Sequence, residues 1–208
     1  MAHQSLPRLR VLHAVRLRGF VDDAAVATLA GVDAPTASSL LAELAADGLA
    51  TKREGRLSGW SVTPDGRASD AKAIADELDA TGARAIVEDC YQRFLSVNHK
   101  MLECCTQWQL RTVDGEQVPN DHSDPDHDAA AVAALATIDD AVQPVCSELA
   151  AAFDRFAGYG PRLQDARRKI ETGDTDFFTK PLIDSYHTVW FELHEDLLVT
   201  LGIERSKE

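Results

Sequence analysis

The chain has 208 residues (22.6 kDa), 45% hydrophobic and 26% charged, a globular composition long enough for one large domain or two small ones, which excludes a wholly disordered chain. Four cysteines, two of them adjacent (Cys104, Cys105), do not make a secreted disulfide framework. The net charge of −13 is uneven: residues 1–70 hold eight Lys/Arg against eight Asp/Glu, and residues 71–208 hold thirteen against twenty-six.

That asymmetry predicts two modules with different partners, residues 1–68 and 69–208. Acidity argues against diffuse nucleic-acid binding by the second but not against a local contact by the first. The N-terminus has no apolar stretch to act as a signal peptide. The longest uncharged alanine-rich run, Ala129 to Ile138, is too short to span a bilayer. A cytoplasmic protein without a membrane segment is expected.

In chain order, Leu6 to Arg18 sets apolar residues at 9, 12, 15 and 17 among arginines at 8, 10, 16 and 18, the pattern of an amphipathic helix ended by Gly19. Asp22 is a suitable N-cap for a helix over Ala24–Leu29, stopped at Gly31. Asp33 then caps a further helix with Pro35 in its first turn, where a missing N–H does no harm. Its apolar positions Ala37, Leu40, Leu41 and Leu44 recur at helical spacing up to Gly48. Leu49-Ala-Thr-Lys-Arg and Gly59-Trp-Ser-Val-Thr flank Glu54-Gly55-Arg56 as strand, turn and strand.

Helix, helix, turn, helix and hairpin together make a winged helix-turn-helix. Leu40-x-x-x-Leu44-x-x-x-Gly48-Leu49, the Arg53-Glu-Gly-Arg hairpin and the closing Trp60-Ser-Val-Thr63-Pro64-Asp-Gly-Arg67 resemble the first domain of transcriptional regulators of the MarR type. The resemblance covers the first third of the chain. It implies that Pro35, Thr36, Ser38 and Ser39 face DNA, with Lys52, Arg53 and Arg56 on the wing. The sequence departs from that pattern in one respect. Between Arg18 and Lys52 there is no Lys or Arg, while Asp22, Asp23, Asp33, Glu43 and Asp47 all lie inside. A reading helix without arginine forgoes the commonest base contact, the bidentate bond to guanine.

Ser69 to Thr81 is expected as a connecting helix. Beyond Gly82, Ala83, Val87, Cys90, Phe94, Val97, Met101, Cys104 and Trp108 alternate by four and three, a heptad stripe. A second stripe runs Leu135, Ile138, Val142, Val145, Leu149, Ala152, Phe156, interrupted by Pro144, where a kink is expected. A third runs Ile183, His187, Trp190, His194, Leu197, Leu201, and Arg162–Thr172 is a shorter helix closed by Gly173. Gly115 to Asp128 is expected as a solvated acidic loop. The fold class is therefore mostly α, a winged helix followed by a helical bundle that dimerises, binds an effector, or both.

Candidate chemistry is sparse. His187 and His194 sit in a core stripe, either as core histidines bonded to polar neighbours or as part of a small-molecule effector pocket of Tyr186, His187, Trp190, Phe191 and His194. Cys90 and Cys104 are expected in the core, and no C-x-x-C pair suggests zinc. Glu192, Glu195 and Asp196 share a helix face, where a solvated surface is expected. No H-E-x-x-H, G-x-S-x-G, P-loop or G-x-G-x-x-G is present, so neither an enzyme, a cofactor nor a metal is expected. The leading expectation is a homodimeric regulator of double-stranded DNA. The alternative is a winged-helix adaptor that binds a protein. A positive face around Thr36, Lys52 and Arg56 is what DNA would require.

Overall fold

The computed structural model describes all residues except Arg56, Leu57, Asp114 and 205–208. It is mostly helical, with two small antiparallel hairpins, and its contacts divide into two compact units. The first comprises Met1–Glu88, Leu149–Gly158 and the chain from Glu192 on; the second comprises Asp89–Glu148 and Tyr159–Phe191. The division at residue 68 expected from the sequence falls inside an unbroken helix.

In the first unit, α1 (Pro7–Arg18), α2 (Asp23–Ala30) and α3 (Ala34–Ala46) precede a hairpin of β1 (Ala50–Arg53) and β2 (Gly59–Val62). The order and the hairpin fit a winged-helix shape. The caps are those the sequence predicts. Asp22 accepts from Ala25 N–H at 2.8 Å and Asp33 from Thr36 N–H at 2.7 Å. Lys52 lies opposite Trp60 in the hairpin, and an isolated bridge between Val21 and Trp60 ties the α1–α2 link to it. Val11, Leu12, Val15, Val26, Leu41, Leu44 and Trp60 form one apolar core. The helix after the wing, α4, runs from Pro64 to Thr81, five residues longer at its start than the connector read from the sequence. Thr63 caps it, its Oγ1 accepting from Gly66 N–H at 2.9 Å.

A 3-10 turn, Asp154–Phe156, and the second half of a terminal helix complete this unit. The chain's start is anchored there by a parallel bridge between His3 and Phe153.

The second unit holds most of α5 (Arg84–Gln109), a hairpin of β3 (Leu110–Val113) and β4 (Glu116–Pro119), most of α6 (Pro125–Ala152), α7 (Tyr159–Glu171), the short α8 (Asp176–Thr179) and the first part of α9 (Tyr186–Leu201). Every member of the α5 stripe is buried except half-buried Val97. The α6 stripe is likewise buried through Leu149, and the helix continues through Pro144. By length and composition α6 is apolar enough to cross a membrane, yet its apolar face is packed and carries buried Asp139.

Two expectations are corrected here. The loop from Gly115 to Asp128 is largely structured, because β4 pairs with β3 and α6 begins at Pro125. An Asp-Gly pair between two β-prone runs is its sequence signal. The α9 stripe is kept only in part, with Trp190, His194 and Leu197 buried as expected. The helix starts at Tyr186, and Tyr186, Val189, Trp190, Leu193 and Leu197 are buried, while His187 is exposed. Ile183 precedes the helix, and the buried face is wider than the expected stripe, taking in Tyr186, Val189 and Leu193 and leaving out His187.

Candidate functional site

The expected recognition surface begins on α3. Ala37, Leu41 and Leu44 turn into the core, leaving Pro35, Ser38, Ser39 and Ala42 exposed and Thr36 half-buried. On the wing Lys52 and Arg53 are exposed, and Arg56 lies outside the described residues. Lys52 Nζ is 3.3 Å from Asp23 Oδ2 and 5.3 Å from the centre of the Trp60 ring.

The cations of α1 are engaged within the unit. Arg8 pairs with Asp47 at 2.6 Å and with Glu43 at 3.5 Å, both on or beside α3. Arg10 meets Asp154 at 3.4 Å, Arg16 meets Asp70 at 3.0 Å and Arg18 meets Glu192 at 2.6 Å. The N-termini of α2 and α3, where backbone N–H groups would favour a phosphate, are already occupied by the Asp22 and Asp33 carboxylates. Hydrogen bonds from the Thr36 side chain and backbone hold the Asp33 carboxyl below its ordinary range, so it is charged at neutral pH.

The first unit also holds a buried polar cluster between α1, α4, the 3-10 turn and α9. His13, on α1, is buried with Nδ1 3.1 Å from Asp70 Oδ2 of α4 and Nε2 3.1 Å from Asp196 Oδ1 of α9. Arg155 donates from Nε to Glu77 at 3.1 Å, from Nη2 to Thr200 Oγ1 at 2.8 Å, and from Nη1 to Asp196. Its guanidinium lies 4.3 Å from the centre of the Phe156 ring. Burial alone lowers the His13 pKa, but the charges and hydrogen bonds of Asp70 and Asp196 raise it to about 9.

This cluster overturns one expectation. Glu192 and Asp196, expected at a solvated surface, are 3% and 1% exposed because Arg18, His13 and Arg155 meet them. The sequence carries faint signals for it: two carboxylates, Glu192 and Asp196, spaced i, i+4 on a helix whose Val189, Leu193 and Leu197 are core residues, and a histidine amid the apolar positions of α1.

The expected effector residues are only partly brought together. In the second unit the Tyr186 hydroxyl donates to Asp139 Oδ1 at 3.1 Å, and Trp190 Nε1 donates to Asn98 Oδ1 at 2.9 Å. Trp190 stacks on Phe94 with ring centres 4.7 Å apart and on Tyr186 at 6.1 Å. These two residues belong to a packed core. His187 and Phe191 are exposed, and His194 is buried in the first unit. Asp139 is satisfied further by Gln143 at 2.8 Å and Arg167 at 3.2 Å; Arg167 also bonds Asp140 across the surface groove between α6 and α7, and Glu171 one turn along its own helix.

All four cysteines are buried and free. Burial pushes the Cys90 and Cys104 thiols up to about 11 and those of Cys105 and Cys146 up to about 12, so they are protonated and unreactive at neutral pH. His99 is exposed, 3.4 Å from Glu103. Among the described residues no group of three or more His, Cys, Asp or Glu is arranged to hold a metal ion.

No protein-family profile, characterised protein or solved structure matches the chain. The three helices and two-strand hairpin of the first unit are compatible with a winged-helix shape.

Proposed function

We propose that this chain is a winged-helix regulatory or adaptor protein that uses the exposed face of α3 and the wing to dock on a protein partner. The observation that carries this reading is the charge of that surface. The α1 arginines and wing Lys52 are engaged by carboxylates of the same unit, and two helix N-termini are filled by Asp22 and Asp33. Phosphate binding depends on cations that can release condensed counterions, and on open backbone N–H donors. Small exposed residues on α3 (Ser38, Ser39 and Ala42) instead leave room for the close approach of another polypeptide.

A DNA-binding regulator is the second reading, favoured by exposed Ser38 and Ser39 beside exposed Arg53. The two readings separate in one pair of experiments. A photo-reactive side chain at Ser38, introduced in the cell of origin, should capture a discrete protein that the same probe at Asp76, exposed on α4, does not. Fluorescence anisotropy with genomic DNA fragments at low salt should give no saturable binding. Saturable binding would establish the DNA reading instead, provided its salt slope flattens by about one unit for each phosphate-binding cation removed in Lys52→Ala, Arg53→Ala and Arg56→Ala.

A further inference from the structure

Among the buried side chains of the His13 cluster, setting aside His3 at its solvent edge, charge balances only when the His13 imidazole carries both protons. His13, Arg16 and Arg155 stand against Asp70, Asp196 and Glu77. The side chains are 4%, 15% and 3% exposed on one side and 0%, 1% and 6% on the other. Three cations against three anions leave no net charge in this dry interior. Removing one proton leaves an uncompensated buried carboxylate and turns an imidazole lone pair toward Asp70 or Asp196, the costly state for an ionic group out of water.

Every element packed on the imidazole contributes. Arg16 faces the cluster from α1 itself and Asp70 from α4. Asp196 faces it from α9, with Thr200 Oγ1 donating to Asp196 at 3.1 Å. Arg155 of the 3-10 turn shares Asp196 and carries the contact on to Glu77, itself 3.2 Å from His3. On α1, Val11, Leu12 and Val15 join the core shared with α2, α3 and β2.

We propose that this cluster is a proton-held clasp, in which the His13 imidazolium ties α1 to α4 and α9 and loss of its proton releases α1 and loosens the helix-turn-helix built on it. The titration of His13 agrees in sign. Its folded value of about 9 lies above the ordinary 6.5, so its stabilisation is full below about 6.5 and is lost as pH rises through about 9. The clasp is closed at neutral pH and opens on the alkaline side.

The test uses the full chain. Proton NMR of wild type follows the His13 ring, while amide exchange, corrected for its intrinsic pH dependence, is compared between about pH 8 and about pH 10 in wild type, His13→Gln and His13→Gln/Asp70→Asn. In wild type the α1 amides should lose about tenfold or more of their protection across that interval while α7 keeps its own. His13→Gln should show the low α1 protection at both pH values. The double variant, balanced in charge without a proton, should recover protection and show no alkaline step. A His13 ring that titrates near its ordinary value, or an α1 step of equal size in His13→Gln, overturns the clasp. Should His13→Gln fail to fold, the wild-type ring titration decides alone.

Discussion

Arg155 shows how much one side chain can matter in an interior with little spare charge. Its guanidinium is 3% exposed and touches Glu77, Asp196 and Thr200, so no other group on the 3-10 turn can replace it. Arg155→Leu keeps apolar contact with Phe153 and Phe156 but leaves two buried carboxylates without this partner. Breaking a buried pair from one side costs about 3–5 kcal/mol, and that loss is expected in urea unfolding at neutral pH. Arg155→Lys should recover only part of it, because an ammonium cannot reach three partners in the fork geometry. The exposed i, i+4 pair Lys72–Asp76 is the contrast, since solvent screens it and Lys72→Ala should leave the unfolding midpoint nearly unchanged. A neutral Arg155→Leu would mean that the carboxylates are satisfied without it.

At the scale of elements, the junction between wing and α4 explains a glycine that the sequence presents only as part of a pattern. Thr63 Oγ1 donates to Gly48 O at 2.7 Å and accepts from Gly66 N–H, drawing the first turn of α4 against the β1 entry. A Cβ at Gly66 would lie 1.9 Å from the Leu49 carbonyl oxygen and 2.8 Å from Val62 Cγ2. Backbone cannot yield as a side-chain tip can, so Gly66→Ala should cost about 3 kcal/mol or more, in the upper range for overpacking. Circular dichroism with thermal melting checks it, and a wild-type melting temperature would show that α4 can shift without penalty. The caps, the hairpin and the stripes of α5 and α6 are legible because each is specified by residues a few positions apart, through 3.6- or 2-residue periodicity and N-cap chemistry. The His13 cluster is not, because its members come from α1, α4, the 3-10 turn and α9 and meet only after folding. Glu192 and Asp196 read as surface because a carboxylate's default environment is water, and the arginines that overrule that default stand far away in the chain. The face of α9 is obscured for a local reason: a four-and-three stripe traced from Ile183 takes in Trp190, His194 and Leu197 but also exposed His187, and passes over buried Val189 and Leu193.

For the whole molecule, the apolar stripes that suggest two chains are consumed by one. Val87, Cys90, Phe94, Met101, Cys104 and Trp108 on α5, with Leu135, Ile138, Val142 and Val145 on α6, are buried in the single chain. The exposed large apolar side chains among the described residues (Met1, Leu6, Phe20, Ile86, Leu102, Val113, Leu182 and Phe191) are spread over several elements and loops, and the two that share a helix, Ile86 and Leu102 on α5, are sixteen positions apart. A stable dimer needs a complementary patch of about 800 Å² on each partner. The charge of −13 adds repulsion between identical copies. Light scattering at micromolar concentration should therefore give 22.6 kDa. Raising the salt separates the two causes. If repulsion alone kept copies apart, screening it would let them associate, whereas a chain without a self-complementary patch stays monomeric at both salt concentrations. A monomer at both agrees with a module that docks on a different protein. A mass twice as large at low salt would mean that a self-complementary face outweighs the charge, and would return the paired winged helices that a two-fold DNA site requires.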